Sequence, residues 1–234
     1  MRTLPLTVFL AAITTASGAS AATFSFASDT DTDSPTFIYN DGFLKNYKQD
    51  VWVDLLIDLD DDGPDEPIVI ENSLFSAMIE LQYDSTQELP GGQYLQIFTA
   101  SGTFSLWEEC GCEMVFYANF FDAVFTSLST DKNALGATAT LQGSDMGIGA
   151  VDYAPGPVLM NYGIRSLIEP EDFAFTLTDL NGGAGALISG GEIADFDAEG
   201  SYSGSAAVPA PGGFFTLLTT GSLALTRRRR LHSA

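Results

Sequence analysis

The 234-residue chain carries 31 acidic and nine basic side chains, a net charge of −22, with 45% apolar and 12% aromatic residues. That apolar content suffices to drive burial of a core, which argues against an intrinsically disordered chain. All the acidic residues lie between positions 22 and 207 beside four basic ones, a net charge of −27, which excludes nucleic acid and anionic membrane surfaces as partners of this segment.

The first 21 residues have the layout of a secretory signal peptide. Arg2 precedes an apolar run over residues 4–13, and Ala19 and Ala21 place small side chains at the −3 and −1 positions that signal peptidase accepts. A frame that ends at Ala22 is equally good. The apolar run is well short of the roughly 20 residues that span a bilayer, which favours cleavage over a membrane anchor. We therefore expect a signal-peptide helix here and export from the cytoplasm.

The middle of the chain has the pattern of β-strands separated by turns. Apolar and polar side chains alternate over residues 51–59 and 75–83, the period of a half-buried strand. Further strands are predicted over residues 94–99, 102–108, 113–128, 134–142, 172–179 and 193–203. Turns are predicted at Asp62-Gly63, Pro90-Gly91-Gly92, Ser101-Gly102, Pro155-Gly156-Pro157, Asn181-Gly182-Gly183 and Ser189-Gly190-Gly191. Residues 22–207 are therefore predicted to form one all-β domain, an antiparallel sandwich of jelly-roll type.

An acidic segment follows the first of these strands. Asp58, Asp60 and Asp62 alternate before a glycine, as at the start of an EF-hand-type loop, and calcium requires about six to eight oxygen ligands. The twelfth position of such a loop is Val69 instead of glutamate, although Glu66 or Glu71 could substitute. The candidate ligands of a structural calcium ion are Asp58, Asp60, Asp62 and Asp65. The alternative is a solvated acidic turn that binds no ion.

Cys110 and Cys112 flank Gly111 at a predicted turn. Thiols oxidise outside the cytoplasm, so this pair favours a local disulfide, which the flexible glycine permits. Free or intermolecular thiols and a two-thiolate metal site are the alternatives. The metal site lacks companion ligands, because residues 22–207 contain no histidine and no further cysteine.

The domain offers few groups for catalysis. Its lack of histidine excludes Ser–His–Asp and Cys–His hydrolysis, and neither a phosphate-binding glycine loop with lysine nor a dinucleotide fingerprint occurs. The remaining option is a pair of carboxylates near aromatic residues such as Trp107, drawn from Glu108, Glu109, Glu113 and Asp122. Glycoside hydrolysis requires two such groups about 5–10 Å apart. We therefore expect a protein that is not an enzyme.

Residues 208–234 combine three unlike elements in a fixed order. The first is Val208, Pro209, Ala210 and Pro211; the second is an apolar helix predicted over residues 213–226; the third is Arg227, Arg228, Arg229 and Arg230. Prolines lack the donors that continue a helix or sheet, so they stiffen an extended segment for a processing enzyme. The arginine cluster resists transfer across a membrane and would hold the β domain outside.

This order resembles the PEP-CTERM sorting signal, with Ala210 where that signal usually has glutamate. The resemblance implies processing by an exosortase-like enzyme, transient attachment to the inner membrane through the C-terminal helix, and delivery to the cell surface or extracellular matrix. The same tail domain is also labelled an ice-binding protein C-terminal domain, a label that concerns the tail alone. An ordinary tail anchor is the alternative.

Together these features favour an exported, non-catalytic component of the cell surface or extracellular matrix. One alternative is a calcium-stabilised carbohydrate-binding module that would hold polysaccharide on exposed aromatic residues such as Trp52, Trp107 and Tyr94. The other is a carboxylate-dependent polysaccharide hydrolase.

Overall fold

The computed structural model describes residues 20–27, 36–46, 51–59, 66–144 and 149–209. The predicted signal-peptide helix and the predicted apolar helix of the tail lie outside these residues. Among the helices of the described ranges, none has the length and apolar character needed to cross a membrane.

The described residues form strands almost throughout. The strands are β1 (Ser20–Ala27), β2 (Phe37–Asn40), β3 (Phe43–Asn46), β4 (Val51–Asp58), β5 (Ile68–Leu89), β6 (Gln93–Trp107), β7 (Met114–Ser129), β8 (Ala139–Ser144), β9 (Ala150–Pro155), β10 (Ile168–Thr178), β11 (Ile188–Ser189), β12 (Glu192–Ile193) and β13 (Phe196–Val208). One short helix, α1 (Pro157–Asn161), follows β9.

Eleven strands form one antiparallel sheet, and β11 and β12 form a separate small hairpin. In the large sheet the pairings run β1–β4–β5–β6–β7–β8–β10–β13, and β13 pairs with β1 again. Strands β2 and β3 bridge β13 to β5, and β9 adds to β7. The sheet therefore closes on itself around one interior, and the predicted antiparallel all-β architecture is confirmed.

Phenylalanine fills that interior. The largest fully buried side chains include Phe24, Phe37, Phe75, Phe98, Phe104, Phe116, Phe120, Phe125 and Phe175. The Phe104 ring lies at the centre, with six other aromatic rings between 5.1 and 6.2 Å from it. Most of these contacts are tilted or edge-on, the arrangements that aromatic rings prefer. Strand alternation explains the pattern, since every second side chain of a strand faces the core.

A pair of tyrosines is buried within this core. The Tyr153 hydroxyl donates to the backbone carbonyl of Asp172 at 2.8 Å, and it lies 2.8 Å from the Tyr202 hydroxyl. Burial raises the pKa of both phenols above the ordinary tyrosine value. Gly204 provides the space for them, because a Cβ atom at that position would overlap both hydroxyl oxygens.

The predicted turn at Ser101-Gly102 is wrong, since β6 continues through it as one strand. The pairing of β6 with β7 shifts register between Ala100 and Gly102, which marks a β-bulge. A Cβ atom at Gly102 would overlap the carbonyl oxygen of Met78 on β5. The glycine therefore permits a close approach of two strands and a local bend.

A carboxyl group from β10 contacts the backbone of β9 in the interior. The backbone N–H of Tyr153 donates to Oε1 of Glu171 at 3.4 Å, and the Glu171 side chain is only 4% exposed. The carboxyl group thus gives a buried backbone donor its acceptor.

The two ends of the described domain lie side by side. Strand β1 pairs with β13 along its whole length, from Ser20 opposite Val208 to Ala27 opposite Ser201. These residues bound one compact unit, Ser20–Val208. The chain therefore enters and leaves the sheet at neighbouring positions.

Candidate functional site

Four large side chains line up across the outer face of strands β4 to β7. The register places Trp52 opposite Leu74, Leu74 opposite Trp107, and Trp107 opposite Met114. Each of the four has a buried neighbour on its strand (Val53, Ser73 and Phe75, Leu106, Val115), and side chains alternate along a strand, so the four face outward. We refer to this set as the aromatic row.

The two indoles of the aromatic row are spaced and oriented by the sheet. Two strand spacings separate Trp52 from Trp107, which is about 9.5 Å. The Trp52 side chain is 42% exposed. Trp107 is half-buried, and its Nε1–H donates to the Ser105 hydroxyl at 3.0 Å, which holds the ring in one orientation. Leu74 lies half-buried between them and forms an apolar floor.

The surface next to the aromatic row carries no charge over two further rows. The first consists of Ser76, Ser105 and Tyr117, and the second consists of Met78, Thr103 and Asn119. Only at the ends of the second row do charged residues appear, Lys45 opposite Met78 and Asp152 opposite Asn119. These two rows form a neutral patch of hydroxyl, amide and aromatic groups, whereas the other side of the aromatic row carries Asp54 on β4 and Glu108 and Glu113 at the β6–β7 turn.

The turn between β6 and β7 closes beside the aromatic row. Its backbone is held by hydrogen bonds from Glu108 N–H to the Glu113 carbonyl at 3.0 Å and from Gly111 N–H to the Glu108 carbonyl at 2.7 Å. Cys110 and Cys112 are joined in a disulfide across Gly111. The ligand atoms of Glu108 and the two sulfurs lie within 4.8 Å of one another. Sulfurs in a disulfide are not thiolates, so this group is not a thiolate metal site while it is oxidised.

A cleft of about 370 Å³ opens next to this turn. It is lined by Val69, Ile70, Glu71, Glu108, Val158, Asn161 and Tyr162. Helix α1 supplies one wall, and the Tyr162 ring that follows it is 51% exposed. Sequence reasoning missed this wall. The signal was Pro157, because proline is favoured in the first turn of a helix, whereas we predicted only a turn there.

The four carboxylates considered for catalysis do not come together. Glu108, Glu109 and Glu113 all lie at the β6–β7 turn. Asp122 lies at the bulge, where its backbone N–H donates to the Ser101 hydroxyl at 3.3 Å. That position is about 20 Å along the strand from Glu108. A glycosidase pair must stay within about 10 Å, so Asp122 cannot partner the other three.

Tyr94 does not belong with the two tryptophans. Tyr94 lies on the same side of β6 as the fully buried Gln96 and Phe98, because every second side chain of a strand faces the same way. It is itself half-buried. Trp52 and Trp107 thus share one outer face, whereas Tyr94 lies on the inner face near the other end of the strand.

Most of the predicted metal and sorting residues fall outside the described part of the chain. Asp58 ends β4 and is half-buried; Asp60, Asp62 and Asp65 lie outside the described residues, and the calcium site stays a prediction. In the tail, Val208 ends β13 and packs against the core, and Pro209 follows it. The sorting residues that lie outside are Ala210, Pro211, Arg227, Arg228, Arg229 and Arg230.

Comparisons with known proteins find no relative of this chain. No family model matches it, and neither a curated protein nor a solved structure is significantly similar to it.

Proposed function

We propose that this protein is an exported, non-catalytic β domain of the cell surface or extracellular matrix, delivered and processed through its PEP-CTERM-like tail. In this proposal signal peptidase removes the N-terminal segment. The tail holds the domain at the outer side of the inner membrane until an exosortase-like enzyme acts on it.

The observation that carries the proposal is the pairing of β1 with β13, which places Ala22, the first residue after the predicted cleavage, opposite Ala206. The signal-peptide-like segment and the PEP-CTERM-like segment join the domain at adjacent ends of neighbouring strands. A domain with this connectivity can be translocated whole and then held by one stalk. After cleavage, residues 22–27 of β1 stay paired with residues 201–206 of β13, which favours a passenger that keeps its fold after both ends are processed.

The packing supports a sandwich-like passenger domain. Phe104 on β6 contacts Phe173 and Phe175 on β10, at 5.7 and 5.1 Å between ring centres, although these strands do not pair. The two strands therefore face each other across the interior, as opposite layers of a sandwich do. The absence of histidine from residues 22–207 supports the non-catalytic part of the proposal.

Cell fractionation tests the proposal. The full chain is produced in a bacterium that carries an exosortase-like enzyme, next to the variant R227Q/R228Q/R229Q/R230Q. The control, K45Q/K48Q/K132Q/R165Q, removes the same number of positive charges from within the domain. We expect the natural chain and the control to reach the envelope or medium without their first residues. The tail variant should lose its membrane-held intermediate, because the charges that stop transfer are gone.

Two outcomes would contradict the proposal. One is a full-length protein in the cytosol with its N-terminus intact. The other is a tail variant distributed among the fractions in the same way as the natural chain.

A calcium titration tests the structural ion separately. If calcium binds the acidic loop, millimolar calcium raises the melting temperature of the protein, because a ligand that binds only the folded state stabilises it. The variant D58N/D60N should abolish that rise, with D195N/D197N as the matched control at two exposed acidic positions elsewhere in the chain. No rise for the natural chain would rule out the calcium site.

A further inference from the structure

We propose that the aromatic row binds an extended, neutral polysaccharide chain that runs across strands β4 to β7. The inference deepens the proposed function, since it assumes a domain outside the cytoplasm, where such polymers occur.

The shape of the aromatic row fits a sugar chain. A pyranose ring has apolar faces formed by its C–H groups, and these stack on the flat face of an indole. The backbone positions of Trp52 and Trp107 are two strand spacings apart, about 9.5 Å, a separation comparable to the length of a disaccharide unit in an extended chain. Leu74 between them closes the gap with apolar surface. Aromatic side chains of this kind give large contact area at a low cost in conformational entropy.

The surroundings of the aromatic row fit the hydroxyl groups of the same chain. Ser76, Thr103 and Asn119 lie in the neighbouring rows and can donate and accept hydrogen bonds. The cleft next to the row adds the Glu71 and Glu108 carboxylates, which accept hydrogen bonds from hydroxyl donors, and the exposed Tyr162 ring. Glu108 follows Trp107 directly in the chain, so the cleft continues the row at one end.

The charge of the domain argues for a neutral ligand. With a net charge of −27 over residues 22–207, an acidic polymer or a second copy of this chain is repelled, whereas a neutral chain is not. The rows of Ser76 and Met78 carry no carboxylate and offer a basic partner no ion pair, whereas Glu71 and Glu108 line the cleft beside the aromatic row. The neutral patch is thus matched to an uncharged ligand.

The aromatic row is also preorganised for binding. The hydrogen bond from Trp107 to Ser105 holds one indole in place, and the disulfide between Cys110 and Cys112 constrains the turn beside it. Groups that are already ordered lose less entropy when a ligand binds.

A retention assay on defined polymers tests the proposal. The full chain is purified from whichever fraction holds it and passed over cellulose, chitin and a soluble β-glucan as neutral chains. Alginate serves as the acidic chain and chitosan as the basic chain. The variants are W52A, W107A and W52A/W107A. The control is F121A, which removes an exposed aromatic ring about 20 Å along the same outer face.

We expect the protein to be retained on at least one neutral chain. Adding 0.5 M salt, which shortens the screening length to on the order of 4 Å, should not reduce this retention, because no ion pairs are involved. Each single tryptophan variant should bind about tenfold more weakly, because buried tryptophans dominate such contacts. F121A should bind as the natural chain does. Melting temperatures of all variants verify that they are folded. W107F, which keeps an aromatic ring but loses the N–H, should recover part of the affinity lost in W107A.

Several results would overturn the proposal. They are no retention on any neutral chain, equal retention by the natural chain and W52A/W107A, or retention on chitosan alone that salt abolishes. A dimer of the natural chain that W52A/W107A converts to a monomer would show instead that the row is a self-association surface. Because the assay uses purified protein, it can fail while the localisation proposal stands, and the reverse holds as well.

Discussion

Two outer faces of the same closed sheet differ sharply in the size of their side chains. On strands β1, β13, β10 and β8, one row in register consists of Ser25, Ser203, Ala174 and Gln142. On strands β4 to β7 the corresponding row is the aromatic row. Both rows cross four strands and cover the same kind of aromatic core.

This fold does not need bulky residues on its outer surface. Small polar side chains suffice over β13 and β10, where the interior is most crowded with Tyr202, Phe173 and Phe175. Exposed aromatic groups favour association and are not retained for the stability of a soluble domain. The large residues of the aromatic row are therefore better explained by contact with something outside the molecule.

The largest expected effect tests the crowding beneath the row of small residues. Gly204→Ala should lower the free energy of unfolding by about 3 kcal/mol, because the new Cβ atom overlaps the hydroxyls of Tyr153 and Tyr202. Ser203→Ala, at the outward-facing neighbour, should change it by less than about 0.5 kcal/mol. Urea unfolding measures both. Equal effects would mean that the inner and outer sides of this strand are not distinct.

The buried contact between β10 and β9 should give the next largest effect. Glu171→Ala removes the acceptor of the buried Tyr153 N–H and should destabilise the fold by about 2 kcal/mol. Glu169→Ala, at an exposed position on the same strand, is the control. Urea unfolding curves provide the measurement, and an E171A protein as stable as the natural chain would refute the role of Glu171.

The buried tyrosines predict a loss of stability at alkaline pH. Burial raises the pKa of Tyr153 and Tyr202. Below about pH 10 both residues are protonated in the folded and unfolded states, so their contribution to the free energy of unfolding is fully present. Above that pH only the unfolded chain releases these protons, and the free energy of unfolding should fall by about 1.4 kcal/mol per pH unit for each tyrosine.

Unfolding experiments between pH 8 and pH 12 (a range set by the tyrosine pKa of about 10) check this expectation. Tyr202→Phe should make the decline less steep, whereas Tyr117→Phe on the exposed face should not. An unchanged slope in Y202F would assign the alkaline instability to another group.

The smallest expected effect tests the aromatic row itself. Trp52→Ala should change the free energy of unfolding by less than about 0.5 kcal/mol, since the indole lies outside the core. Phe75 is the buried neighbour of Leu74 on the paired strand β5, and Phe75→Ala should lower the free energy of unfolding by about 4 kcal/mol. A large loss of stability in W52A would mean that Trp52 contributes to packing. The difference between the two outer faces would then not indicate a binding surface.

The sequence predicted where the strands lie better than it predicted which strands pair with each other. Alternation over residues 51–59 placed Trp52 on the opposite side from Val53, as the structure has it. The row from Trp52 to Trp107 could not be foreseen, because it depends on both residues pairing with Leu74. Periodicity assigns a side chain to a face but does not select the register or the neighbouring strand.

Other elements were missed for identifiable physical reasons. Strands β2 and β3 have four residues each, too few for a convincing period. Strand β1 begins inside the segment that we assigned to the signal peptide. Gly102 indicated a turn, although glycine also marks the sites where two backbones approach closely, and only tertiary packing distinguishes the two.

The pairing of β1 with β13 also limits where proteases can cut. A peptide bond held in a hydrogen-bonded ladder is a poor substrate, because a protease must bind an extended and unpaired chain. In the full chain the ladder ends at Val208, opposite Ser20; once the first 21 residues are removed it ends at Ala207, which stays paired with Ile168 of β10. A mature C-terminus that ends before Ala207 would therefore indicate a cut made before folding, and a later end is compatible with a cut made after it.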